Sequence, residues 1–282
     1  MTKSPTVARY AAFADSPELG NPAGVVLDAR ALSDADMQSI AAEVGYSETA
    51  FVTSLVEPGA TALSVRYFAP DAEVDFCGHA TIATAAALGD VLGPGDYVLN
   101  TRVGPIHASA RRENQRTIGA FRSAAVSSSP LSAEQLDALL RQLGWSKEDL
   151  HPEYPPAIGY GGNRHPVLVA QDPHRLADFD YDFDGLRALC RAEDWVTIQL
   201  IAPEGPGCWR SRNPFPWGGV VEDPATGSAA AAFAGYLRAL GRATPGDRFT
   251  IIQGVEMGRR SRIEVEVLET AALIAGPATV MS

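Results

Sequence analysis

Two segments of the chain are apolar or small around the whole circumference of a helix. Residues 81–92 are rich in Ala and Leu and almost uncharged, and residues 228–240 have the same character and end at Gly241. A helix that is apolar on every side is buried, whereas a surface helix carries a polar face. The pattern therefore predicts two central helices, each wrapped by sheet.

The other helical patterns belong on the surface. In the segment 34–44, Ser33 is a good N-cap residue, acidic side chains occupy the first turn and Gly45 ends the helix. Further helices are predicted at 133–143 and 183–192. Strand-like segments occupy most of the remaining chain, at 7–14, 24–28, 49–54, 63–68, 98–101, 104–110, 157–161, 166–170, 195–202, 207–213, 249–255, 261–268 and 273–280.

The sequence before each apolar helix is repeated. RYFAPDAEVDFCGHAT begins at Arg66 and RNPFPWGGVVEDPATGS begins at Arg212, so that each passes an aromatic residue, a proline, an acidic residue and a glycine turn. Upstream, GNPAGVVL starts at Gly20 and GNRHPVLV starts at Gly162. The offset is 163 − 21 = 142 for the Asn of this second pair and 227 − 78 = 149 for the Gly that opens each helix. Two paired signals in the same order predict a duplicated fold.

We therefore predict an α+β fold of two similar, pseudo-symmetric domains with a ligand cleft between them. The first domain covers 1–123, and residues 270–282 are the candidate segment that completes it. The second domain covers 130–269 and follows a linker of small polar residues at 123–132.

Composition and charge limit the classes of partner. The chain has 282 residues and a formal net charge of −11, which fits two globular domains and argues against nucleic acid or an anionic membrane as a partner. No apolar run reaches the roughly 18 residues of a membrane span. The N-terminus lacks a signal-peptide core and the three cysteines are widely spaced, so we expect reduced thiols and a cytoplasmic location. Because no His or Cys pair has metal-ligand spacing, no metal site is expected.

Each apolar helix opens with a glycine turn that could hold an anion. Gly78 and His79 lie at the first start, and Gly227 and Ser228 lie at the second. A helix N-terminus leaves backbone N–H groups unpaired and carries a partial positive charge, and glycine lets a ligand approach the backbone. Taken alone, either turn has a structural interpretation, with His79 satisfied in the core or Asp223 acting as an N-cap. Two such turns at matching places favour one carboxylate or phosphate site.

A carboxylate precedes an apolar strand at Ser47-Glu48. Glu is an awkward residue at a buried strand edge, so an exposed loop position is the plain alternative. A Glu48 partly buried beside the cleft would have a raised pKa and could move protons near neutral pH.

Cys77 and His165 have mainly structural interpretations. Cys77 could be one base of a two-base racemase, which needs an opposing base from the other half of the chain. The equivalent stretch near Pro224 contains no Cys, so a small buried packing residue is the favoured interpretation. His165, which precedes Pro166 at a strand start, is expected to be structural.

Four motifs occur in one order along the chain: GNPAGVV, SETAFV, FCGHATIA and EDPATGSA. With these motifs the chain resembles the PhzF-like family of phenazine-biosynthesis isomerases, from Gly20 to the QGVEMGR stretch at 253–259. The resemblance implies a fold like that of diaminopimelate epimerase. In that fold each of two similar domains is a β-barrel-like sheet around a central helix, and the active site lies in the cleft between them.

The resemblance also implies a function. It implies a homodimeric isomerase without metal or organic cofactor, similar to trans-2,3-dihydro-3-hydroxyanthranilate isomerase, that moves a proton within a small carboxylic acid. The acid/base role falls on Glu48, while His79 and Asp223 would orient the substrate and tune Glu48. The residues expected to bind the substrate beside these are Ser47, Gly78, Gly227 and Ser228.

Two other classes stay open at this point. One is an epimerase or racemase that uses Cys77 with a partner other than Cys. The other is a non-catalytic protein that binds small molecules, although a carboxylate held in a dry cleft favours proton transfer over simple binding.

Overall fold

The structure is a computed structural model that describes residues 5–114, 116–177 and 179–281. The chain divides into two compact units. Unit 1 combines the residues up to Arg122 with those from Ala275 onward, and unit 2 runs from Ser123 to Ile274. Over the described ranges, none of the helices combines the length and apolarity that crossing a membrane requires.

Unit 1 is built mainly from β-strands. Its helices are α1 (Asp34–Val44) and α2 (Gly78–Leu92). Its strands are β1 (Ala8–Ala12), β2 (Asn21–Val26), β3 (Glu48–Val52), β4 (Ala62–Phe68), β5 (Glu73–Val74), β6 (Gly95–Thr101), β7 (Gly104–Glu113), β8 (Arg116–Arg122) and most of β16 (Ala272–Val280).

The strands of unit 1 form a closed barrel in the order β1-β2-β3-β4-β6-β7-β8-β16. The barrel closes where β16 pairs with β1, with Val280 opposite Tyr10. The short β5 pairs with β4 outside this order. The last strand therefore belongs to the first unit, although the rest of the chain separates it from β1 in sequence.

Helix α2 runs inside this barrel. It packs against β1, β2, β3, β6, β7 and β8, and every residue from His79 to Gly89 is buried. The helix fits because its side chains are small and because the barrel wall contains glycine where the helix passes. A Cβ on Gly119 of β8 would lie 2.5 Å from the carbonyl oxygen of Ile82, which is well inside van der Waals contact. The prediction of a buried central helix is confirmed here.

Unit 2 adds surface helices to the same plan. Its helices are α3 (Ala133–Leu143), α4 (His174–Ala177), α5 (Phe183–Glu193) and the buried α6 (Gly227–Ala239), with 3-10 turns at Lys147–Asp149 and Pro216–Gly218. Its strands are β9 (Ser127–Pro130), β10 (Ala157–Tyr160), β11 (Arg164–Val169), β12 (Gln199–Gly205), β13 (Cys208–Arg212), β14 (Arg248–Gln253) and β15 (Ser261–Val267).

Strand pairing repeats from one unit to the other. The neighbours β1-β2-β3-β4-β6-β7 pair in the sequence antiparallel, parallel, antiparallel, parallel, antiparallel. The neighbours β10-β11-β12-β13-β14-β15 pair in the same sequence. In each unit the central helix lies in the connection between the fourth and fifth of these strands. The predicted duplicated α+β fold is therefore confirmed.

The surface helices cover the outer faces of the sheets. Helix α1 has the predicted boundaries, since Ser33 caps it in a capping box with Asp36 and Gly45 ends it in the left-handed conformation. In unit 2, α3 and α5 enclose a second apolar cluster that contains the fully buried Trp195.

Three sequence interpretations differ from the structure. The segment 123–132, taken as a linker, contains β9, whose polar residues pair with β10 through backbone hydrogen bonds that need no apolar side chains. The sequence pattern also omitted β8, which pairs with β7. The first central helix begins at Gly78, three residues before the apolar run.

We predict that Gly119→Ala destabilises the protein by about 1–3 kcal/mol, the usual cost of overpacking a core. The added methyl group meets the backbone of α2, which cannot move without shifting the whole helix. The midpoint of chemical denaturation measures the loss. Gly95→Ala in β6 is the matched control because its nearest contact would be 3.8 Å away, and an equal loss in both variants would contradict the packing argument.

Candidate active site

In unit 1, Glu48 and His79 are brought together by a strand and the central helix. Glu48 is the first residue of β3, where it lies opposite Ala23 of the parallel neighbour β2. His79 is the second residue of α2 and is buried. The His79 Nε2 atom lies 3.4 Å from a carboxylate oxygen of Glu48, whose side chain is 18% exposed. The alternative of a fully exposed loop Glu is therefore wrong.

Ser47 and Cys77 complete this cluster. The Ser47 hydroxyl lies 3.3 Å from His79 Nε2, and the Cys77 sulfur lies 3.3 Å from His79 Nδ1. The imidazole thus has a carboxylate and a hydroxyl near Nε2, and the thiol lies within 3.8 Å of both ring nitrogens. Cys77 is buried, as expected, but its thiol also contacts the imidazole, which the packing interpretation had not anticipated.

The protein environment shifts Glu48 towards its neutral form. Burial raises the pKa of the Glu48 carboxyl, and hydrogen bonds from Ser47 and Cys77 oppose that rise only in part. Burial disfavours the ionised form because the low-dielectric surroundings replace water. A carboxyl whose pKa moves towards neutrality can both accept and return a proton at working pH.

The same cluster could in principle ligate a metal ion. One donor atom from each of Glu48, Cys77 and His79 falls within 4.8 Å of the others. A metal would require one ring nitrogen to face both the sulfur and the carboxylate. Here Nε2 lies 3.4 Å from the carboxylate and 3.8 Å from the sulfur, and the sulfur lies 3.3 Å from Nδ1. The donor spacing therefore allows a metal ion as well as a hydrogen-bonded cluster, and chelation distinguishes the two.

In unit 2, the loop before α6 is held by a buried amide. The Thr226 hydroxyl donates to the Asp223 carboxylate at 2.5 Å, and Gln253 Nε2 donates to the Asp223 carbonyl at 2.7 Å. Gln253 also accepts from the Thr226 backbone N–H at 3.2 Å. These contacts fix Asp223 and the first turn of α6 relative to β14. Sequence reasoning missed Gln253, although it opens the QGVEMGR stretch.

An ion pair supports the loop before each central helix. Arg66 binds Glu73 in bidentate fashion at 2.8 and 2.7 Å, and Arg212 binds Glu222 at 2.9 and 2.7 Å. In both units the Glu precedes the first Gly of the helix by five residues, 78 − 73 = 5 and 227 − 222 = 5. Bidentate arginine pairs fix geometry as well as charge. The repeated Arg of the sequence therefore anchors the loop that leads into each helix.

Gly227 and Ser228 open α6 as predicted, and Ser228 contacts a histidine. The Ser228 hydroxyl lies 3.0 Å from Nε2 of His165 on β11. His165 is fully buried, which agrees with its structural interpretation, but its contact with Ser228 joins it to a predicted substrate-binding residue.

The N-termini of the central helices differ from those of the surface helices. Side chains of Ser33, Ser132 and Asp182 cap α1, α3 and α5. Neither N-cap residue of the central helices, Cys77 for α2 or Thr226 for α6, makes a side-chain capping bond. A helix start without a side-chain cap can turn its first backbone N–H groups towards an anion.

The N-caps also correct the sequence comparison of the two halves. Cys77 had been compared with the stretch near Pro224. Because Cys77 and Thr226 both immediately precede the first helical Gly, Thr226 is the true counterpart of Cys77. Thr226 has no thiol, and its hydroxyl is bonded to Asp223.

Within each unit the predicted site residues lie close together. Ser47, Glu48, Gly78 and His79 meet in unit 1, and Asp223, Gly227 and Ser228 flank the start of α6 in unit 2. That the two helix starts serve one ligand stays a prediction.

A family model described as phenazine biosynthesis-like protein matches residues 10–282. The trans-2,3-dihydro-3-hydroxyanthranilate isomerase of Pseudomonas chlororaphis is 36% identical over 250 residues, which cover 89% of this chain and 86% of that protein. Among solved structures, a phenazine biosynthesis protein of the PhzF family from Bacillus anthracis matches with a TM-score of 0.88 and 26% identity, covering 100% of this chain and 98% of that one.

A hydroxyproline epimerase from Agrobacterium vitis shares the fold at lower similarity. Its TM-score is 0.66 at 13% identity, with 98% of this chain and 89% of that chain covered. At this identity the likeness concerns the fold alone.

We predict that Glu48→Gln becomes more stable relative to wild type as the pH rises. An acid whose pKa is higher in the folded than in the unfolded protein stabilises the fold while it is protonated. That contribution is complete below the ordinary value of 4.5 and is lost as the pH rises through the folded pKa. The free energy of unfolding of both proteins, measured with denaturant at roughly even steps between pH 4 and 8, shows the change.

Glu73→Gln is the matched control with the opposite sign. Its side chain is 15% exposed, but hydrogen bonding to Arg66 holds the pKa of Glu73 below its usual value. The stabilisation from Glu73 is therefore present at neutral pH and lost as the pH falls through the folded pKa. Parallel pH trends in the two variants would contradict the assignment for Glu48.

Proposed function

The chain belongs to the phenazine biosynthesis-like protein family and is an isomerase, and we propose that it moves a proton within a small carboxylic acid without help from a cofactor. The reaction would resemble that of trans-2,3-dihydro-3-hydroxyanthranilate isomerase, the name that its Pseudomonas relative carries. The observation that carries the proposal is the Glu48–His79 pair in a largely buried setting.

Glu48 is the proposed proton carrier. A proton shift within one molecule needs a single group that removes a proton from one carbon and returns it to another. The raised pKa of Glu48 suits that cycle, because a higher pKa makes its carboxylate a stronger base for removing the proton. His79, at 3.4 Å from the carboxylate, can stabilise the ionised form and orient it towards the substrate.

The substrate carboxylate is proposed to bind at the start of a central helix. Support comes from the contrast in capping, because the surface helices α1, α3 and α5 carry side-chain caps and α2 and α6 do not. Gly78 and Gly227 leave room for close approach to the backbone, and the helix dipole favours a negative group there. Ser47, Asp223 and Ser228 would select the remaining groups of the substrate.

The racemase alternative is less well supported. A two-base racemase of this fold needs a second proton carrier opposite Cys77, and its counterpart Thr226 is a poor one with its hydroxyl bonded to Asp223. A pure binding protein would need no carboxyl of raised pKa in contact with a buried imidazole.

We expect Glu48→Gln to lose at least about 100-fold in turnover, the lower range for general acid–base catalysis. Gln keeps the shape of the side chain but cannot carry a proton. The assay is deuterium incorporation at carbon, read by mass spectrometry, when trans-2,3-dihydro-3-hydroxyanthranilate and related small acids are incubated with the enzyme in deuterated water.

Two variants make this test specific. Cys77→Ala should lose no more than roughly tenfold, the value of one hydrogen bond, and Glu43→Gln on the exposed face of α1 should behave as wild type. An inactive Cys77→Ala beside an active Glu48→Gln would transfer the proton-carrying role to the thiol and support the racemase alternative.

We also expect turnover to survive dialysis against a metal chelator. Burial raises the pKa of the Glu48 carboxyl, so the proposed proton carrier needs no ion to act as a base. Deuterium incorporation before and after dialysis measures the effect. Loss of activity that added divalent metal restores would instead make Glu48, Cys77 and His79 a metal centre.

A further inference from the structure

His165 lies at the centre of a buried chain of polar side chains in unit 2. Its ring is fully buried on β11, with Nε2 at 3.0 Å from the Ser228 hydroxyl and Nδ1 at 2.9 Å from the Thr197 hydroxyl. Thr197 continues the chain to Asn213 at 2.9 Å, and Asn213 continues it to Gln199 at 2.8 Å. The chain ends at Ser228, which is partly exposed at the start of α6.

The direction of the hydrogen bonds in this chain follows from its acceptors. The Thr197 hydroxyl donates its proton to the Asn213 carbonyl oxygen, so towards His165 it can only accept. The Thr197 backbone carbonyl, which also can only accept, lies 3.3 Å from the same Nδ1 atom. His165 Nδ1 must therefore carry a proton, since two acceptors face it.

The other ring nitrogen is then an acceptor. Burial lowers the pKa of His165 to about 4, so the imidazole is neutral at physiological pH and carries a single N–H. With that proton on Nδ1, Nε2 presents a lone pair to Ser228. The Ser228 hydroxyl must donate to it, which leaves only oxygen lone pairs facing away from His165.

The internal repeat identifies the counterparts of these residues in unit 1. Val25 pairs with Ala50 across β2 and β3, and Val167 pairs with Gln199 across β11 and β12. The offsets are 167 − 25 = 142 and 199 − 50 = 149, the same as those of the two repeated motifs.

These offsets align three pairs of residues. His165 corresponds to Ala23 (165 − 23 = 142), Thr197 corresponds to Glu48 (197 − 48 = 149) and Ser228 corresponds to His79 (228 − 79 = 149). The small Ala23 lets Glu48 contact His79 directly, at 3.4 Å. In unit 2 an imidazole stands between the two corresponding side chains instead and contacts both.

We propose that His165 is a positioning residue that holds the Ser228 hydroxyl as a hydrogen-bond acceptor, so that the ligand group facing Ser228 is a donor such as an amino, ammonium or hydroxyl group. The proposal rests on the proposed function, in which Ser228 contacts the substrate. It separates two recognition tasks at the start of α6, because backbone N–H groups would take the carboxylate and the Ser228 oxygen would take a donor. A small acid with a neighbouring amino or hydroxyl substituent satisfies both.

The tautomer of His165 is the first test, and it needs no ligand. Long-range proton–nitrogen NMR spectra at neutral pH distinguish a protonated ring nitrogen from an unprotonated one. We expect a neutral ring with the proton on Nδ1, identified by the signal that disappears in His165→Gln. The exposed His174 is the internal reference for an unconstrained ring. A His165 ring protonated on Nε2 would overturn the proposal, because Ser228 could then donate to a ligand.

Ligand discrimination is the second test. The probes are 2-aminobenzoate, which has a donor beside its carboxylate, and 2-fluorobenzoate, which has a similar shape and no donor there. Measured by calorimetry, wild type should bind 2-aminobenzoate roughly threefold to tenfold more tightly than 2-fluorobenzoate, which is the range of a single hydrogen bond. His165→Leu and Ser228→Ala should bring the ratio of dissociation constants close to one.

Two further variants test whether the change in the ratio of dissociation constants is due to His165. His165→Gln should restore part of the ratio, because its amide oxygen can accept from Ser228, and His174→Gln should match wild type. Melting temperatures confirm that each variant is folded. An unchanged ratio in folded His165→Leu, or failure of wild type to bind either probe, would count against the proposal. Failure of the proposed function would be recognised separately. Deuterium would then not be incorporated into any substrate, while His165 would still carry its proton on Nδ1.

Discussion

The whole architecture depends on burying a helix inside a layer of strands. Most side chains of such a helix must be small, which explains the alanines of α2 and α6, and the strands around it need glycine where the helix passes closest, as at Gly119. Its first backbone N–H groups lie at the end of a buried element, where water is scarce and an unpaired donor is costly. A bound anion would pair such donors, which is the physical basis of the site proposed at these ends.

Duplication produces two buried helix starts, and the residues around them differ between the two units. In unit 1 the residues around the helix start are a carboxyl, an imidazole and a thiol in direct contact, all able to exchange protons. In unit 2 the corresponding positions carry Thr197 and Ser228 with His165 between them, and the hydrogen bonds of that chain have a single direction. One scaffold thus supports a group of titratable side chains in one copy and a fixed pattern of acceptors in the other.

Sequence reasoning succeeded where the cause of a structure is local. The N-cap and C-cap of α1 and the composition of α2 and α6 each act over a few residues, and the repeated motifs made the duplication visible. It failed where pairing is supplied by distant backbone. The polar strand β9 has no apolar alternation to reveal it, and it forms because β10 offers a partner.

The candidate site divides along the same line. Glu48, His79 and Ser228 stand in recognisable motifs, so their positions could be predicted. The meaning of His165 could not, because its partners lie 32 and 63 residues away and become neighbours only when β11, β12 and α6 meet. A lone buried histidine is usually satisfied by a backbone carbonyl, and here the Thr197 carbonyl does contribute. His165 has a consequence beyond packing because this carbonyl fixes its tautomer, and the tautomer in turn fixes the direction of the hydrogen bond made by the Ser228 hydroxyl. Polarity of this kind depends on three-dimensional contacts, which is why a structure can assign it and a motif cannot.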